Sequence, residues 1–263
     1  MKLPQGNKED SLSKKPLTLV GMLFIAFPIS INVPFALLSR SFEYPGILAR
    51  PAGEILTRFG AGGLPLLATW YAFALVGIPF FAAMVLLPQA IDRERDASLR
   101  LGTVAGLLAG TLQVIALLRW VFAVPLLARL YLDPASTDAT RAAATMTFDV
   151  LHRFVGIGLG EHLGPLFLAA WTVLVAGAMT RAGVTHRWLA AVGRFSALLL
   201  VTGLAGGVAR ALDQPRAVLD ALPAIGFLFW SAWVIGSGIQ LLRAARHPGA
   251  RDRLTGRSVQ TAG

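Results

Sequence analysis

Apolar runs alternate with short polar segments along the whole chain, and each run approaches the ~20 residues that a helix needs to cross the hydrocarbon core of a bilayer. The runs cover 16–38, 64–87, 101–124, 163–180, 188–208 and 218–242, between a polar tail over 1–15 and a basic tail over 243–263. This pattern predicts an all-α fold, a polytopic membrane helix bundle with about six transmembrane helices in one domain over 16–242. Both tails read as disordered and cytoplasmic. The first run is longer than the apolar core of a secretory signal and no small-x-small cleavage site follows it, so it is expected to remain as an uncleaved span. Pro28 and Pro34 are expected to bend that span, and Asn32 is its one amide.

Between the runs, the periodicity changes. In the segment after Leu38, Ile55, Leu56 and Phe59 fall on one side at helical spacing, Pro51 suits a first turn, and Gly60 is positioned to end a short interfacial helix. Trp70 and Tyr71 near the start of the second span are expected at the membrane boundary, where amphipathic rings are favoured. The third span, if helical from Leu101 to Leu132, would measure roughly 48 Å at ~1.5 Å per residue against a core of ~30 Å. Either Pro125 kinks it or its end projects. Asp133 and Pro134 then form a turn, residues 136–138 offer capping side chains, and an amphipathic helix follows before the fourth span. The extra amphipathic helices belong on the extracytoplasmic side.

Composition agrees with a membrane class. The 263 residues are 55% hydrophobic and 14% charged, more apolar than one soluble core requires. The net charge of +10 is dispersed in short clusters between apolar runs, which argues against nucleic acid and for anionic lipid headgroups at the basic cytoplasmic segments. Of the 24 Lys and Arg, fourteen fall in segments that would be cytoplasmic and eight in outer ones, with Arg119 and Arg194 inside spans. That bias places the protein in the cell membrane as a multi-pass protein with cytoplasmic N- and C-termini. There is no cysteine, so disulfides, thiolate metal sites and cysteine nucleophiles are absent.

Polar chemistry concentrates in one island: Arg119, then Asp149, His152, Arg153, Glu161 and His162. Charges at membrane depth are costly unless paired, which makes this island the candidate binding or structural polar cluster. Asp149 and Arg153 have the i, i+4 spacing of an ordinary solvated helix pair, and His152 beside them is expected to be solvated. Gly156, Gly160 and Gly164 repeat every fourth residue and suit a close helix contact better than a phosphate loop. Glu161 needs a cation or donor to stay ionised, and Arg119 is its best candidate partner. Adjacent helical residues diverge by ~100°, so Glu161 and His162 share a focus only if the helix breaks in the glycine stretch. HExxH is absent and His152 lies ten residues from His162, so neither a metal site nor a cofactor is expected.

The run LLRWVFAVPLLARLYLDPASTDATRAAATMTFDVLHRFVGIGLGEHLGPLFLAAWTVLVAGA resembles the bacterial integral membrane family called domain of unknown function 4386, with RWVFAVP and GEHLG as its most specific pieces. The resemblance extends from the first span into the fifth and implies a multi-span helical protein with no established activity. Two functional classes follow. One is a non-enzymatic membrane protein that handles a small solute or lipid, or serves as an accessory subunit, through the outer polar cluster. The alternative is a membrane-embedded enzyme using Glu161 with His162 or His152 on a lipid-like substrate. No spaced nucleophile or ligand constellation supports the enzyme, which favours the first class.

Overall fold

A computed structural model describes residues 6–211 and 217–246, and every regular element among them is helical. They form α1 (Gly6–Phe42), a short 3-10 turn (Gly46–Ala49), α2 (Ala52–Leu75), α3 (Ile78–Ala90), α4 (Ala97–Phe122), α5 (Val124–Leu132) and α6 (Asp138–Leu151). A π-helical segment (His152–Leu163) follows, then α7 (Gly164–Arg181), α8 (Arg187–Ala211) and α9 (Ala217–Arg246). Among the described residues six stretches are long and apolar enough to cross a membrane: Lys15–Phe42, Ala52–Ala90, Ala97–Leu132, Asp138–Arg181, Arg187–Gly206 and Leu222–Arg246. The protein is therefore a polytopic helical bundle of the multi-pass membrane kind. The helix of α1 reaches back to Gly6, into the segment expected as a polar tail. Most of the expected basic C-terminal tail, 247–263, lies outside the described residues.

Local sequence explains where the helices stop. Gly63 adopts φ 54° and ψ −150°, a backbone open to glycine, and Pro65 follows it, so α2 is interrupted there. Gly60 does not end the helix. Its missing side chain makes room for Leu132 of α5, since a Cβ at Gly60 would strike the Leu132 side chain. Pro125 resolves the length of the third span: α4 stops at Phe122, and α5 starts anew with the proline in its first turn, where no N–H is needed. Thr137 caps α6, its hydroxyl accepting from the N–H of Thr140 at 3.2 Å. Arg141 closes the preceding end by donating to the carbonyls of Tyr131 at 3.2 Å and Asp133 at 3.1 Å.

The chain packs as two compact units whose borders fall inside α1, between α2 and α3, inside α4 and inside α7. One unit comprises the chain through Pro28, Ile78–Leu108 and the chain from Leu166 onward. Its core is aromatic: the ring of Trp171 packs on Phe24, Phe80, Trp230 and Trp233 with centroids 5.4–6.1 Å apart. The indole N–H of Trp230 donates to the Thr172 hydroxyl at 3.0 Å, so one buried polar pair closes within that core. Gly106 lies against Trp171 and Met84, where the missing side chain lets α4 pack closely.

The other unit comprises Ile29–Gly77 and Ala109–Pro165 and carries all six candidate residues. Its core centres on Trp70 and Trp120, stacked with centroids 4.5 Å apart and planes 8° from parallel. Phe42, Phe59 and Phe148 pack around the pair. Trp70 is thus fully buried inside the protein, while its neighbour Tyr71 is exposed. An aromatic ring next to a polar segment served this core because α2, α4 and α6 all present rings to one place.

Candidate functional site

Arg119 occupies the last turn of α4, one residue before the buried Trp120. Its Nη1 donates to the carbonyl of Ala116, and its Nη2 lies 3.4 Å from Nδ1 of His152. The guanidinium carbon stands 5.3 Å from the centroid of the Trp120 ring, within cation–π range. Nε is buried and has no hydrogen-bond partner. An arginine is always a donor, so Nδ1 of His152 faces it with a lone pair, which puts the ring proton of a neutral His152 on Nε2.

His152 is 8% exposed, and its ring stacks on Phe148 with centroids 5.8 Å apart and planes 9° from parallel. The expectation of a solvated His152 is therefore corrected. The ring turns inward because His152 opens the π-helical segment HRFVGIGLGEHL, whose hydrogen bonds reach five residues back in place of four. Three glycines make the α form weaker here, and two of them admit α4. A Cβ on Gly156 would stand 2.6 Å from Nη2 of Arg119 and 3.2 Å from Nδ1 of His152. A Cβ on Gly160 would stand 2.7 Å from that of Ala116. The guanidinium thus lies directly against backbone, and GIGLG is a helix-contact surface as its spacing implied.

Glu161 is exposed, and its charge acts on both Arg119 and the phenol of Tyr44. Tyr44 lies outside the six spans, edge-on to Trp70 with centroids 5.2 Å apart. Burial pushes its phenol from 10.0 up to about 12; the negative charge of Glu161 adds to this and Arg119 opposes it. The connection that carries Tyr44 is pinned by Glu43, at φ 57°, which pairs with Arg50 and Arg58, while Glu54 pairs with Arg50. The hydrogen bond from Arg58, against a smaller opposing effect of burial, holds the Glu43 carboxyl below its ordinary range. Each exposed pair contributes little by itself, and the network acts by fixing one loop geometry.

The structure gathers Arg119 and His152 in contact, with Glu161 and Tyr44 in electrostatic reach. It leaves Asp149 and Arg153 exposed on their helix and His162 half-buried, outside the contacts around Arg119. Among the described residues no group of three His, Asp or Glu could hold a metal ion. Sequence reasoning missed Tyr44, whose only signal was the turn-forming YPG after a lone glutamate. Chemically, the arrangement offers a half-buried, permanently charged donor whose buried Nε–H is unpartnered, with an imidazole in contact and a carboxylate nearby. Such a group suits recognition of a carboxylate or phosphate oxygen.

No curated protein and no solved structure matches the chain. Residues 19–238 match the model of the family described as a domain of unknown function (DUF4386), and the chain belongs to that family.

Proposed function

We propose that the protein is a non-enzymatic cell-membrane protein with both termini cytoplasmic, which binds the anionic group of a small solute or lipid at the extracytoplasmic Arg119 cluster. The observation that carries this reading is the half-buried Arg119, whose Nε is buried and unpartnered. A purely structural arginine at that depth is expected to spend all its donors on carbonyls or carboxylates, because each unpaired buried donor costs ~1–3 kcal/mol. Glu161 sits near enough to modulate the charge of this cluster. Lipids and small molecules retained by the full-length protein in mild detergent test this by mass spectrometry. An anionic species should be enriched with wild type and with Arg119→Lys and depleted about tenfold with Arg119→Gln, the loss of one charge-assisted hydrogen bond or more. An identical retained set in wild type and Arg119→Gln contradicts the reading.

A further inference from the structure

A second pair of arginines meets at the surface of α7 and α8. A Cβ built on Gly177 would stand 3.3 Å from Nη1 of Arg181 and 4.0 Å from Nη2 of Arg194, so both guanidinium groups converge on one glycine notch. Nη2 of Arg181 is already engaged, donating to Oδ2 of Asp96 at 3.2 Å and to the Ser98 hydroxyl at 3.0 Å. The Asp96 carboxyl is held below its ordinary range: burial opposes this, and the hydrogen bonds from Arg181 and from the N–H groups of Ser98 and Leu99 outweigh it. Nη1 of Arg181 is left turned toward the notch. Arg194 makes no ion pair with any described residue.

The place of Arg194 makes this informative. It is exposed seven residues after the start of α8, about 10 Å along the helix, and its neighbours on that helix, Trp188, Phe195 and Leu198, are exposed apolar side chains. That is a lipid-facing surface in a span. A cation there has its cost lowered by reaching the headgroup level, and it reaches toward a second cation. Arg181 and Arg194 together with Asp96 carry one net positive charge, which matches the single negative charge of a phosphodiester. Two guanidinium nitrogens aimed at one notch suit two oxygens of a phosphate.

We propose that Gly177, Arg181 and Arg194 form a binding site for the phosphodiester headgroup of an anionic phospholipid, in the leaflet on the side of the turn between α7 and α8. The site is independent of the Arg119 cluster. Retention of phosphatidylglycerol by the full-length protein in detergent, measured by native mass spectrometry against phosphatidylcholine, is the test. Wild type should retain phosphatidylglycerol selectively. Arg194→Gln should weaken that retention about tenfold, Arg194→Lys less. Gly177→Leu, which fills the notch and leaves both charges, should weaken it as Arg194→Gln does. Arg93→Gln, which removes an exposed charge from the loop between α3 and α4, should leave it unchanged, and inorganic phosphate should not displace the lipid. The proposal is overturned if Arg194→Gln and Gly177→Leu retain the lipid as wild type does. It is equally overturned if Arg93→Gln weakens retention as much as Arg194→Gln, or if inorganic phosphate displaces the lipid.

Discussion

At Tyr44, a residue without a periodic signature becomes the electrostatic neighbour of two that have one. Its phenol is raised from 10.0 to about 12, chiefly by burial and then by the charge of Glu161. A group whose folded pKa exceeds its unfolded value contributes stability that is full below the unfolded pKa and is lost as pH rises through the folded one. The window is therefore about pH 10 to 12. Unfolding in detergent should show a stability loss across that window in wild type that is reduced in Tyr44→Phe, and equal slopes in the two proteins would contradict the burial of this phenol. Arg119 illustrates the converse case. Its place within the third apolar run was legible, whereas its partner was not: residues 33 apart meet only because His152 turns inward.

Among the elements, the π-helical segment explains how that turn is made. Widening of the helix over His152–Leu163 lets the backbone at Gly156 and Gly160 come against α4, with His152 buried on the same side. The two glycine positions have different neighbours. At Gly160 an added methyl meets the Cβ of Ala116 at 2.7 Å, an atom that cannot rotate away, whereas at Gly158 it meets only the carbonyl of Arg153 at 3.6 Å. Gly160→Ala should destabilise the protein by about 1–3 kcal/mol in thermal or denaturant unfolding, and Gly158→Ala should stay within about 1 kcal/mol of wild type. Equal effects would show that the segment does not rest on α4 at Gly160. Periodicity made the glycine repeat readable as a contact surface, and a break there was only the condition for Glu161 and His162 to share a focus. It could not reveal a change from four-residue to five-residue hydrogen bonding, because both forms have the same composition. The packing of Trp70 was hidden for a related reason: a ring near a span's end has the same sequence signature whether it meets headgroups or stacks, as here, on Trp120 with centroids 4.5 Å apart.

For the whole molecule, run length alone carried most of the fold. Six apolar stretches appear as six helices able to cross a membrane, and the breaks fall at residues with a local cause, Gly63 and Pro125 among them. The fourth stretch, Asp138–Arg181, has 44 residues, more than twice what a crossing of ~20 needs, so part of it must lie outside the hydrocarbon core. The proposed orientation rests on the charge distribution: it would put the basic segments around Arg93, Arg95, Arg100, Arg181 and Arg187 in the cytoplasm and the Arg119 cluster on the opposite face. Paired reporters for the two sides of the membrane, fused after Leu132 and after Arg181, test this frame most directly. An extracytoplasmic signal after Leu132 with a cytoplasmic one after Arg181 is predicted; a cytoplasmic signal after Leu132 would contradict both the orientation and the outward placement of Arg119.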